Sequence, residues 1–188
     1  MGELTGSRRT HFGLAWALCA ANLLCLAATL PPLRLVAPVW LWAALVGLTA
    51  VVFVTALVRG VRAPLLRRGS GWDLLRYVLL LPRGLLAGYL VAVCLIGIGT
   101  ASGSGADDAR KDGSGYYHLV RDNSVSSTRY LRVELGRDEY DRMRGAQVRI
   151  FTGGAALFCT LGSFLVLVSA TTAAPRPRPA KGRRTAAG

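Results

Sequence analysis

Apolar residues fill this chain in four long blocks, 12–30, 36–58, 77–100 and 150–172, set between arginine-rich or glycine-rich connections. Blocks of about 20 such residues match the ~30 Å hydrocarbon core of a bilayer, so the pattern predicts four transmembrane helices. Pro31 and Pro32 stop the first helix, and a connection of about five residues returns the chain as a tight antiparallel hairpin. In the third block Pro82 breaks or kinks the chain and Arg83 follows it. The 17 uncharged residues 84–100 still suffice to span if Arg83 snorkels to the membrane surface.

The long connection between the third and fourth blocks has a different pattern. The stretch 101–112 is flexible by composition. Beyond it, 116–120 is an aromatic and β-branched run ended by the turn-rich Arg-Asp-Asn-Ser. Residues 128–135 alternate, with Leu131, Val133 and Leu135 facing one way and Arg132 and Glu134 the other, as in a half-buried strand. These two runs pair as a hairpin, which needs a cover for its apolar face. The cover is the next element. Gly136 stops the strand, Asp138 and Glu139 suit a helix start, and Tyr140, Met143, Gln147, Val148 and Phe151 recur at helical spacing. No proline separates this segment from the last block, so one helix is predicted over 137–171, with Gly145 a candidate kink.

The predicted fold is an all-α membrane protein with four transmembrane helices and a small extracytoplasmic β-hairpin lid between helices three and four. Residues 1–99 hold three helices with a basic amphipathic connection at 59–76. Residues 100–148 form the loop, 149–172 the fourth helix, and 173–188 a disordered basic tail.

Charge fixes an expected orientation. The net charge of +13 over 188 residues would suggest nucleic acid in a soluble chain. Here the basic residues cluster before the first helix, between helices two and three, and after the fourth, whereas eight of the ten acidic residues lie in 107–141. Such alternation predicts a cell-membrane protein with both termini cytoplasmic and 100–148 outside, with Arg34 as a lone dissent. The amino terminus has a basic start like an export signal, but its apolar run is too long for one and is read as a retained helix. Arginine outnumbers lysine 21 to 2, as in high-GC bacterial proteins. Cys19, Cys25, Cys94 and Cys159 all fall inside apolar blocks and read as small packing residues.

Several sets of residues are candidates for function. Gly84 and Gly88 form a GxxxG, and Ala155, Cys159 and Ser163 a second small-residue stripe at i+4 spacing. Both suit packing within one bundle, or docking on a partner or second copy. Arg62, Arg67, Arg68, Trp72, Arg76 and Arg83 suit an amphipathic segment among anionic headgroups, and Trp40 and Trp42 an aromatic belt. On the loop, Tyr116, Tyr117, His118, Arg132, Glu134 and Tyr140 form the candidate recognition surface. Hydrolytic chemistry finds only His118, Asp122 and the serines at 124, 126 and 127, which lack nucleophile-elbow glycines. No metal set and no intramembrane carboxylate pair is present, so neither a cofactor nor catalysis is expected.

The paired Tyr116 and Tyr117, then Glu139-Tyr140 at a helix start, then Arg149 and Phe151 entering the last span, carry a loose resemblance over about 40 residues. The loop resembles that of uncharacterised small four-span integral membrane proteins of high-GC Gram-positive bacteria, which implies location and architecture and no activity. The expected function is that of a non-catalytic accessory or scaffold subunit using its lid for partner contact. The alternative is a subunit of a small oligomeric transporter or channel. Expected partners are the bilayer, anionic headgroups at the cytoplasmic face, and a membrane protein or a second copy of the chain. Nucleic acid is not among them.

Overall fold

The computed structural model describes residues 6–61, 72, 78–103, 109–122 and 129–171. Within these the apolar blocks form α1 (Ser7–Ala28), α2 (Val39–Val61), α3 (Arg83–Ala101) and α4 (Arg137–Thr171). Three strands, β1 (Ala109–Asp112), β2 (Gly115–Asp122) and β3 (Arg129–Leu135), lie between α3 and α4. All four helices are long and apolar enough to cross a membrane. The chain is, by the composition of its helices, a four-span membrane protein.

Proline sets three helix ends. α1 stops at Ala28, short of Pro31, because a residue before proline is pushed out of the helical region. α2 begins only at Val39, and the Pro38 carbonyl accepts from the backbone N–H of Leu41 at 3.0 Å and of Trp42 at 3.4 Å. The connection between these helices is therefore longer than the five-residue turn expected from the apolar pattern. Pro82 separates α3 from the preceding turn, and its carbonyl accepts from Leu85 at 2.9 Å.

Burial is inverted relative to a soluble domain. Beside Leu26, Val148, Val166 and Val168, many of the residues enclosed among the helices are small or weakly polar, among them Ala15, Asn22, Thr49, Ala56, Ala92, Thr152, Ala156 and Ser163. Leu24, Val51, Leu90, Val91 and Ile98 point outward and are more than half exposed. A water-facing bundle would place these the other way round, whereas a hydrocarbon-facing one gains by packing backbones closely on small residues.

α4 is the hub and packs along α1, α2 and α3, while α2 and α3 scarcely touch each other. Accordingly 56% of its most apolar stretch is buried, against 17% for α2 and for α3. The closest approaches are made by glycines. A side-chain carbon at Gly153 would stand 2.7 Å from Thr100 Cγ2, and one at Gly99 2.8 Å from Leu26 Cγ. Gly88 lies against the Trp16 ring, whereas Gly84 has open space around it. Among the described residues Gly84 has no packing neighbour. Of the two uses open to the first GxxxG, packing within the bundle or docking on a partner or second copy, only Gly88 serves the first here. The pair that does pack is Gly99 and Gly103, with Gly103 pressed on Ile150 and Ala146.

The sheet between α3 and α4 is antiparallel with order β1-β2-β3, one strand more than the predicted hairpin. The extra strand, β1, occupies the end of the stretch read as flexible. Its sequence, Ala-Arg-Lys-Asp, has no alternating apolar signal, and it is held by pairing with β2 from Ala109↔His118 to Asp112↔Gly115. The predicted β2–β3 pairing is present, with Tyr116 opposite Leu135 and Val120 opposite Leu131.

Candidate functional site

The sheet sits beside the part of α4 that outruns the other spans. With 35 residues, α4 is about 50 Å long at ~1.5 Å per residue, well beyond the ~30 Å hydrocarbon core. Its start follows from the local sequence. Gly136 ends β3, the Tyr140 N–H donates to the Gly136 carbonyl at 2.9 Å, and Asp138 and Glu139 supply negative charge to the first turn. Helical structure continues through Gly145 without a break.

Alternation gives the sheet two faces. Tyr116, His118 and Val120 share one face with their partners Leu135, Val133 and Leu131. This face meets α4 at one end only. The Tyr116 and Tyr140 rings lie 4.5 Å apart, and Leu135 and Ala109 are buried. Farther from α4, Leu131 and Val133 remain 46% and 42% exposed, so the helix covers less of the apolar face than expected. His118 is half-buried, and its Nδ1 has no partner among the described residues.

The opposite face is polar. Arg132 pairs with Asp112 at 2.8 Å, lies over the Tyr117 ring at 3.9 Å, and donates to Ser114. Asp112 also accepts from the Ser114 hydroxyl at 2.6 Å and backbone N–H at 2.9 Å. These bonds, the Ser114 hydroxyl first and Arg132 next, hold the Asp112 carboxyl down at about 2. They tie the β1–β2 turn to β3 across the sheet. Glu134, opposite Tyr117, is exposed on this face.

Below the sheet, Arg149 fastens three helices together. Its guanidinium donates to the Thr29 carbonyl at 3.3 Å and to the Ser102 carbonyl at 3.0 Å. Thr29 caps α1 and Ser102 caps α3. One cation on α4 thus satisfies carbonyls at two helix C-termini, where the macrodipole also favours positive charge. Its buried Nε finds no partner among the described residues. Sequence reading missed this role. The signal available was a lone arginine at the head of an apolar span.

The other predicted residues are dispersed. Trp42 stacks on Phe151 at 5.2 Å and joins α2 to α4, while Trp40 is exposed. Arg83 is exposed at the start of α3, and Trp72 is exposed as well. Arg62, Arg67, Arg68 and Arg76 fall outside the described residues, as do the serines at 124, 126 and 127 and the tail. Arg59, assigned from sequence to the basic connection, lies in the last turn of α2 and donates to Ser7 Oγ at 2.9 Å.

Ala155, Cys159 and Ser163 are buried, and the last two belong to a polar seam within the bundle. Asn22 donates to the Leu18 carbonyl at 2.9 Å and to Thr49 at 3.3 Å, and Thr49 lies 3.4 Å from Cys159 Sγ. Ser163 pairs with Tyr89 at 2.8 Å, and His11 Nε2 lies 3.0 Å from the Val52 carbonyl. Among the described residues, no three of His, Cys, Asp or Glu gather as metal ligands would. The arrangement at the sheet end offers exposed apolar and charged surfaces. Comparison with family models, with curated proteins and with solved structures finds no match for this chain.

Proposed function

We propose that this membrane protein is a non-catalytic accessory or scaffold subunit whose sheet-bearing end receives a partner protein on the extracytoplasmic side. The observation that supports this reading best is the state of β3. In the order β1-β2-β3 its outer edge pairs with no strand among the described residues, and it carries the exposed Tyr130, Leu131 and Val133. An unpaired edge with apolar side chains is an adhesive surface that isolated proteins tend to blunt, and extended segments of partners bind such edges by adding a strand. The orientation rests on the arginine clusters at 59–68 and 176–184 and the near-neutral loop.

Site-specific photo-crosslinking from position 131 in intact cells tests the function. A defined heterologous membrane or extracytoplasmic protein is the expected adduct, and capture of this chain alone would overturn the reading. Labelling of Gly113→Cys, in a cysteine-free background, with a membrane-impermeant thiol reagent tests the orientation. Gly113 is exposed, with open space for a side chain, and failure to label in intact cells reverses the map.

A second reading, a subunit of a small oligomeric transporter or channel, draws support from the buried Asn22, whose Oδ1 has no partner among the described residues. Polar groups inside a membrane bundle often mark a solute path. Solute flux through proteoliposomes, lost on Asn22→Leu, would favour it over the scaffold reading.

A further inference from the structure

A cleft of about 670 Å³ opens between the α1–α2 connection, the end of α3 and one side of α4. Its α4 wall presents Asp138, Asp141, Arg142, Gly145 and Arg149, whose spacing places them on one helical stripe. Facing them is Arg34, held at a positive φ of 48°, with Leu30 and Val36 as apolar lining.

The charges in this cleft do not neutralise one another. Among the described residues no ion pair joins the carboxylates of Asp138 and Asp141 to Arg34, Arg142 or Arg149. Arg142 turns its Nε to the Asp138 backbone carbonyl at 3.4 Å, and Arg149 is engaged with Thr29 and Ser102 through backbone carbonyls. Three guanidinium groups and two carboxylates therefore share a cleft without mutual pairing, an arrangement suited to a ligand bearing both signs of charge.

Order along α4 narrows the ligand class. Arg149 lies level with the caps of α1 and α3, where two spans end. Arg142 stands about 10 Å farther along α4 and Asp138 about 16 Å, at ~1.5 Å per residue. Leaving the spans, α4 thus presents Arg149 first, then Arg142 beside Asp141, and Asp138 farthest along. A membrane phospholipid with a primary amine has the complementary sequence: acyl chains, then phosphate, then ammonium.

We propose that the cleft binds the headgroup of an aminophospholipid of the phosphatidylethanolamine type. Arg34, Arg142 and Arg149 take the phosphate, and Asp138 and Asp141 accept hydrogen bonds from the ammonium. A choline headgroup has no N–H to donate to the two carboxylates, and a glycerol headgroup brings no cation. This site is separate from the β3 edge and rests only on the four-span architecture.

Native mass spectrometry of the purified full-length protein in detergent tests it, with phosphatidylethanolamine, phosphatidylcholine and phosphatidylglycerol of matched acyl chains. Phosphatidylethanolamine is expected to bind about tenfold more tightly than either, the size of one charge-assisted hydrogen-bonded contact. Asp138→Asn/Asp141→Asn should erase this preference. Glu139→Gln, which removes the same helix-start charge outside the cleft, should keep it. If the double variant does not fold, Asp141→Asn alone provides the readout. Equal binding of the three lipids, or an unchanged preference in the asparagine variant, overturns the proposal. Soluble phosphoethanolamine should compete only at far higher concentration, because it lacks the acyl chains. Competition at lipid-like concentrations would make a soluble amine phosphate the ligand and overturn the lipid assignment.

Discussion

Arg149 donates from Nη2 to the carbonyl of Ser102 at 3.0 Å, the cap of a helix 47 positions earlier in the chain. Its Nη1 does the same for Thr29, the cap of α1, at 3.3 Å. Replacing it with methionine keeps the aliphatic stem but orphans both carbonyls. Arg149→Met should therefore lower stability by about 2 kcal/mol, the range for hydrogen bonds to a charged group. Lysine keeps the charge but lacks the planar fork that reaches two acceptors, so Arg149→Lys should recover only part. Thermal unfolding in detergent, followed by tryptophan fluorescence, measures both. Equal melting of all three proteins would remove the clamp from the account.

The Asp112 carboxyl is held at about 2, below its ordinary value of 3.8, by the Ser114 hydroxyl first and Arg132 next. A carboxylate whose folded pKa is depressed stabilises the fold above its unfolded pKa. That contribution is lost as pH falls from about 4 to about 2, and it is constant at neutral pH. Carboxyl-carbon NMR of the labelled protein should show the depressed midpoint, and Ser114→Ala and Arg132→Gln should each raise it. Because the pair is exposed, salt should weaken the arginine contribution and leave that of the serine hydroxyl largely intact. A midpoint in the ordinary carboxylate range for the unmodified protein would mean that the turn is not tied to β3.

Two glycine pairs, Gly84–Gly88 near the start of α3 and Gly99–Gly103 across its end, separate what a motif can say from what packing decides. Gly84 faces open space, whereas Gly99 would place a side-chain carbon 2.8 Å from Cγ of the buried Leu26. Gly99→Ala should cost about 1–3 kcal/mol as an overpacked contact, and Gly84→Ala should cost nothing or stabilise the helix slightly. Adding Leu26→Ala to Gly99→Ala makes room, so the double variant should be less destabilised than the sum of the singles. Thermal melts of the four proteins give the cycle. Additivity would mean that Leu26 and Gly99 do not meet.

The same contrast shows what was legible in the sequence. The span of α4 could be read to its ends because every local signal agreed: a stop at Gly136, acids in the first turn, helical spacing, and no proline before Thr171. The β2–β3 pairing was legible for a similar reason, since Leu131, Val133 and Leu135 alternate with Arg132 and Glu134. β1 was not, because Ala109–Asp112 has almost no propensity of its own and becomes a strand only where β2 offers an edge. Gly99–Gly103 has the same spacing as Gly84–Gly88 but was not singled out from the sequence, and only the position of α1 and α4 distinguishes the two. Arg149 was read as part of a resemblance and not as a clamp, since its acceptors are backbone carbonyls, which any residue supplies.

Tyr140 helps to seat the sheet on α4. Its ring lies 4.5 Å from that of Tyr116, at 32° between planes, and its hydroxyl is 3.4 Å from Arg144 Nη1. The ring contact supplies about 1 kcal/mol beyond simple burial. Tyr140→Ala should thus loosen the sheet without disturbing the spans. Trypsin reaches Arg110, Lys111 and Arg132, all exposed on the sheet, and cleavage there should rise about fivefold if opening costs that ~1 kcal/mol less. Tyr140→Phe keeps the ring and gives up only the long hydroxyl contact, so its cleavage rate should stay near that of the unmodified protein. Equal cleavage of the alanine and phenylalanine variants would assign the seating to Leu135 and Ala109, the other buried residues on that face.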